Sequence, residues 1–250
     1  MYHHIDRKEN VAAISPKRFE DHMRALATHH FNVIRMEDYL AFVKGKQKIP
    51  HNAVVITFDD GYESFFTYAH PILRKYHFPA VNFIIVRSTD FPGPKELPHL
   101  KWWQMRWMKK DGMSFYSHTY DQHRLLISNA QGARRPALIS PKFLESWQRI
   151  ETSNEYQARV YGDLVLANQR LKQELGNQPN ILAFPYGAYN PVLMELGRKA
   201  GIEFFITTKP GINEKNNREI LRINAGRPHV SGDSLVASIY LQSLFPTIRR

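Results

Sequence analysis

Residues Val54 to Gly61 read Val-Val-Ile-Thr-Phe-Asp-Asp-Gly, an apolar and β-branched run that ends in two adjacent carboxylates and a glycine. A short continuous apolar run bounded by turn residues suits a strand buried on both faces, and such strands belong to parallel sheets covered by helices. Acids at the C-terminal end of such a strand stand where α/β folds gather their active sites. Two ionised carboxylates side by side would raise one pKa unless a cation lay between them. The pair therefore suggests a division of labour, with one carboxylate on a metal ion and the other free to move protons. An Asp-Asp-Gly turn with no such role is the plainer alternative, and such turns are common.

The remainder of the chain alternates strand and helix patterns. A short strand over residues 2–5 is followed by a helix from Ser15-Pro16 to Thr28, with Ser15 as N-cap and Pro16 at the first helical position. A strand over 32–35 and a helix over 37–44 lead to the octet. Beyond Gly61 the pattern predicts a helix over 63–77, a strand over 79–86, a Trp-bearing helix over 101–110 ended by Asp111-Gly112, and a strand over 113–117. Residues 124–140 read as a turn-rich surface excursion, and helical pattern resumes at Lys142 and strengthens from Glu155 to Leu175. Strands over 181–184, 203–207 and 220–224 and helices over 191–200 and 235–244 complete it. This alternation implies an α/β fold with a mainly parallel sheet or barrel. No composition break divides the chain, so residues 1–250 are expected to form one domain.

Composition narrows the chemistry. The chain contains no cysteine, so disulfides and thiolate metal sites are excluded and any metal must use His, Asp or Glu. A formal charge of +11 favours association with an anionic cell surface. The basic residues are scattered and form no nucleic-acid motif, so nucleic acid is not an expected partner. No apolar run is long enough to cross a bilayer, and residues 1–10 lack the apolar stretch of a signal peptide. An export or anchor segment is expected to lie outside the 250 residues.

Two more clusters can carry chemistry. His118 and His123 follow the strand at 113–117, within Ser117-His118-Thr119-Tyr120-Asp121-Gln122-His123. A five-residue separation does not share a helical face, so they converge on one ion only if the chain turns between them. Imidazole and carboxylate together suit Zn²⁺ and leave positions open for water and substrate; two unrelated polar histidines are the alternative. Phe184-Pro185-Tyr186-Gly187 follows another strand, and its tight path could aim a backbone N–H at a developing oxyanion or simply turn the chain. Trp102, Trp103 and Trp107 lie at helical spacing, which favours core for at least one and leaves Trp102 or Trp103 as a pocket wall.

These motifs together resemble the polysaccharide deacetylases, the carbohydrate esterase group homologous to nodulation deacetylases. Thr57-Phe58-Asp59-Asp60-Gly61 matches the family's first motif throughout. Ser117-His118-Thr119 with His123 matches its second, with one extra residue between the histidines compared with most members. That spacing, and Tyr2-His3-His4-Ile5 ahead of the acid pair, look like the poly-N-acetylglucosamine deacetylases of biofilm formation. The similarity spans nearly the whole chain.

The resemblance implies a distorted (β/α) barrel, seven-stranded and circularly permuted relative to most members. It also implies N-deacetylation of poly-β-1,6-N-acetylglucosamine outside the cell or at its surface, by a monomer. Asp60, His118 and His123 would hold a divalent ion, Zn first and Co, Ni or Fe as alternatives. Asp59 would be the base that activates water, the backbone N–H of Tyr186 would hold the oxyanion, and His3 would protonate the leaving amine. His4 is the second choice for that acid. The family's third motif begins with an arginine that braces the catalytic Asp, and Ala183 stands in the corresponding place, leaving the group that orients Asp59 unidentified. Chitin or peptidoglycan deacetylation is the neighbouring alternative. A catalytically silent glycan-binding module is the alternative from another class.

Overall fold

The computed structural model describes residues 1–94, 96–215 and 217–244. Six strands form one parallel sheet: β1 (Ile56–Phe58), β2 (Ala80–Ile84), β3 (Ser114–Ser117), β4 (Ile181–Ala183), β5 (Phe204–Ile206) and β6 (Glu219–Ile220). Their spatial order follows their sequence order, from β1 at one edge to β6 at the other. Among the described residues, seven α-helices of six or more residues surround them: α1 (Pro16–Thr28), α2 (Met36–Val43), α3 (His70–Lys75), α4 (Trp102–Met108), α5 (Ser153–Leu175), α6 (Pro191–Lys199) and α7 (Gly232–Leu244).

Alternation along the strands decides the layers. Val81, Phe83, Tyr116, Ile181, Ala183, Phe204 and Ile206 share one apolar cluster with Met36, Tyr39, Leu40 and Val43 of α2. The intervening Ala80, Ile84 and Phe115 join a second cluster with Phe19, Met23, Phe58, Phe65 and Leu73. A third packs Val160 and Leu164 of α5 and Leu193 of α6 against Leu182 and Phe205. The strands are therefore buried on both faces, as the apolar octet requires.

The two sheet edges are tied together by the first residues of the chain. Tyr2 forms a parallel bridge with Phe58, its N–H donating to Thr57 O at 2.9 Å and its C=O accepting from Asp59 N at 3.0 Å. On the other side the Met1 nitrogen donates to Ile223 O at 2.8 Å, and Ala225 N donates to Met1 O at 3.1 Å. The strand expected over 2–5 is shorter, His4–Ile5, and pairs with Ala13–Ile14. The sheet proper holds six strands among the described residues, against the seven expected.

Local differences have local causes. The helix expected over 63–77 begins as a π-helical turn, Phe65–Ala69, before α3. Helical pattern at Lys142 is not realised: Phe143–Leu144 pairs antiparallel with Arg149–Ile150 around a 3₁₀ turn, in which Gln148 takes a left-handed φ of 48°. The helix starts only where Thr152 and Glu155 form a capping box. The excursion at 124–140 contains an antiparallel hairpin, Leu125–Ile127 with Arg134–Pro136, and buries Ala137 and Leu138.

Candidate active site

Three of the sequence-predicted site motifs lie at the C-terminal ends of sheet strands. Asp59 and Asp60 follow β1, His118 follows β3 and Pro185–Gly187 follows β4. Asp60 and Gly61 both take left-handed backbone angles, φ 74° and 76°, which turns the chain sharply off the strand. At Gly61 a Cβ would crowd Ile84, so a glycine is required there for space as well as for φ.

Asp59 and Asp60 are adjacent and both buried, 2% and 5% exposed, yet their surroundings differ completely. Asp59 is gripped by Arg222, whose Nη1 and Nη2 reach its two carboxylate oxygens at 2.7 and 2.8 Å. Arg222 is fixed in turn by its Nε, which donates to Thr207 O at 2.8 Å, and it lies over the Phe83 ring. Burial pushes the Asp59 carboxyl up, but the Arg222 guanidinium outweighs it by charge and hydrogen bonding and holds the group far below the usual carboxylate range. The brace missing at Ala183 is thus supplied from just beyond β6. Its only sequence signal is an arginine between Leu221 and Ile223, inside an otherwise apolar run.

Asp60 Oδ1 is buried with no hydrogen-bond partner. His118 Nε2 and His123 Nε2 lie 3.3 and 3.2 Å from it, and the ligand atoms of the three residues all fall within 4.8 Å of one another. The Nδ1–H of His118 donates to Ala183 O at 2.9 Å, which orients the ring with Nε2 toward Asp60. Burial, then the charge of His118, pushes the His123 imidazole down to about 4, so it stands as a neutral ligand. An orphaned carboxylate oxygen between two imidazole nitrogens is the donor set a divalent cation requires, and the three residues fit such an ion.

The remaining predicted residues border this centre. Tyr186 has φ 58°, and its half-exposed ring lies 4.6 Å from that of His123. A Cβ on Gly187 would collide with Thr208, so the turn that shapes this backbone depends on glycine. His3 is half-buried and directly follows Tyr2, whose backbone pairs with Thr57 and Asp59. His4 points elsewhere: its Nδ1 pairs with Ser64 Oγ at 2.8 Å and its Nε2 with Asp6 at 3.3 Å. Trp102 is partly buried, its indole N–H on Asp90 and Arg170 over its ring, whereas Trp103 and Trp107 are 54% and 43% exposed.

Comparison with known proteins decides the family. The profile described as polysaccharide deacetylase matches residues 46–205, well over half of the chain. The chain belongs to the polysaccharide deacetylase family. It is 30% identical over 180 residues to the poly-β-1,6-N-acetyl-D-glucosamine N-deacetylase of Escherichia coli, a match covering 68% of this chain and 27% of that protein. It is 26% identical over 193 residues to the enzyme of the same name from Staphylococcus aureus, covering 77% and 60%. The chain thus corresponds to less than two thirds of either relative. Among solved structures, the deacetylase domain of BpsB from Bordetella bronchiseptica superposes with a TM-score of 0.74 at 29% identity, over 80% of this chain and 81% of that one. The de-N-acetylase of Aggregatibacter actinomycetemcomitans shares the fold with a TM-score of 0.83 at 24% identity, over 95% and 97% of the two chains.

Proposed function

We propose that this chain hydrolyses the N-acetyl group of N-acetylglucosamine units in poly-β-1,6-N-acetylglucosamine, releasing acetate and leaving a free amine on the polymer. The observation that carries the reading is the orphaned Asp60 Oδ1 between His118 and His123, beside an Asp59 held by Arg222. The names of the relatives support the choice of glycan. Asp60, His118 and His123 would hold the divalent ion, Zn²⁺ first among Co, Ni and Fe. That ion would supply Lewis-acid polarisation of the amide carbonyl and a lowered pKa for water beside it.

The chain's own residues do the rest. Asp59, kept ionised by Arg222, has lone pairs left after the two guanidinium contacts and takes the proton from the attacking water. The backbone N–H of Tyr186, in a turn held by Gly187, donates to the oxyanion. His3 gives a proton to the amine nitrogen as its bond to the acetyl carbon breaks. His4, committed to Ser64 and Asp6, is not free for that role. Residues 1–250 act as one catalytic domain and as a monomer, on substrate outside the cell or at its surface, where the basic surface favours an anionic envelope. We read the Met1–Tyr2 pair as the seventh stave of a permuted barrel, placing the acid His3 ahead of the Asp pair in sequence.

Acetate release from β-1,6-linked N-acetylglucosamine oligomers, with and without a chelator, tests the reading. Release abolished by the chelator and restored by Zn²⁺ is expected. Release only from β-1,4-linked oligomers would move the substrate to chitin or peptidoglycan. Glycan binding with no release under any metal would make the chain a binding module.

A further inference from the structure

His118 and His123 are five positions apart, a spacing that puts them on different sides of a helix. They meet because the chain between them is bulged. Thr119 takes φ 74°, its N–H donates to Ser117 Oγ at 3.0 Å, and its Oγ1 accepts from Gln122 N at 3.1 Å. This leaves the N–H groups of Tyr120 and Asp121 pointing out of the bulge together. Both are taken by one carboxylate: Tyr120 N donates to Asp163 Oδ1 at 2.9 Å and Asp121 N to Asp163 Oδ2 at 2.7 Å. Gln122 Nε2 adds a third bond to Asp163 Oδ2 at 3.2 Å.

Asp163 sits mid-way along α5, 8% exposed, and among the described residues no ion pair is formed by it. A buried carboxylate without a cation is costly unless N–H donors replace its water, and here all three donors belong to the His118–His123 segment. One turn earlier on the same helix face, Arg159 Nη1 donates to Gln122 Oε1 at 2.6 Å while the guanidinium pairs with Glu151. The bulge is therefore moulded from outside the sheet by two residues of α5.

We propose that Asp163 is a positioning residue for the ion site: its carboxylate folds the 119–122 bulge into the one shape in which His118 and His123 both face Asp60. Arg159 supports it through Gln122. The proposal rests on the reading of Asp60, His118 and His123 as the ion site. Outer residues that orient ligands typically contribute about ten- to hundredfold in metal affinity, and Asp163 belongs with them. The two backbone N–H groups reach separate oxygens, and asparagine replaces one of these by an NH₂ donor, so one of them loses its acceptor.

The test uses Co²⁺ alone as the probe, through its visible absorption and by competition with a chelator, together with thermal unfolding of the metal-free protein. Asp163→Asn is expected to bind Co²⁺ about ten- to hundredfold more weakly and to show a changed absorption band. Asp111→Asn removes the carboxylate facing buried His70, at a distant ion pair. It is expected to lower the unfolding midpoint while leaving Co²⁺ affinity unchanged. If Asp163→Asn fails to fold, the judgement passes to Asp163→Glu, which keeps the charge but displaces both oxygens from the Tyr120 and Asp121 N–H groups; a severalfold loss is expected there. Wild-type Co²⁺ affinity in the variant so judged overturns the role of Asp163 and leaves the ion site intact. Failure of the wild-type chain to bind Co²⁺ at all overturns the ion site and this proposal with it.

Discussion

The end of β1 and the loop after β3 both bring side chains that could hold an ion to one centre, but they are built by opposite means. Asp59 and Asp60 leave a buried strand in a fixed turn, and the residue that braces Asp59 comes from beyond β6, across the closing sheet. His118 and His123 span a bulge whose shape is imposed from α5, outside the sheet. One half of the site depends on how the sheet closes, the other on how a helix docks. The comparison teaches that adjacent carboxylates can differ through their partners alone: Asp59 is paired with a cation of the protein, while Asp60 Oδ1 has no hydrogen-bond partner.

The largest expected effect comes from the open carboxylate. Asp60→Ala should abolish stable divalent-ion binding and reduce acetate release by at least about 10³-fold, a loss of about 4 kcal/mol in transition-state stabilisation. Dialysis against Zn²⁺ followed by metal analysis, and the acetate assay, check both. The paired carboxylate should respond differently. Arg222→Met leaves Asp59 buried without its partner, and breaking such a pair costs about 3–5 kcal/mol, read by chemical denaturation. Ion binding through Asp60 should survive wherever the variant folds. Equal loss of ion affinity in both variants would collapse the distinction between the two carboxylates.

A smaller effect separates the ion site from the edge closure. His22 lies beneath Tyr2, its Nδ1 3.1 Å from Tyr2 Oη and its Nε2 2.9 Å from Val230 O. Burial, the largest influence, holds its pKa below the ordinary 6.5. The fold therefore prefers neutral His22, and the unfolded chain binds the extra proton. The stability it contributes is complete above pH 6.5 and is lost progressively as pH falls below that value. His22→Asn should flatten the acid side of the unfolding midpoint against pH, measured on the metal-free protein. An unchanged slope would remove His22 from the account.

The smallest expected effect is at the rim. Trp103 is more than half exposed, so Trp103→Ala should change stability by no more than about 1 kcal/mol. A severalfold fall in kcat/KM on long oligomers with no change on short ones would assign it to the glycan path.

What the chain discloses in advance follows the same division. The octet at Val54–Gly61, the two histidines and the Pro-Tyr-Gly turn are local patterns, and each stands at a strand end as expected. Arg222 is 163 residues from Asp59, and only the topology that closes the sheet brings them together. Asp163 reads locally as one more polar residue on a long helix. The helix expected from Lys142 failed for a similar reason: residues 143–150 pair with one another around a left-handed Gln148, and periodicity alone does not register such a hairpin.

The most direct test of the central claim compares Asp59→Asn with Asp60→Asn in paired assays of ion content and acetate release. The account predicts that Asp59→Asn retains one bound divalent ion per chain and loses acetate release, while Asp60→Asn loses both. An Asp59→Asn protein that loses its ion, or an Asp60→Asn protein that keeps ion and turnover, would contradict the assignment of ion binding to Asp60 and proton transfer to Asp59.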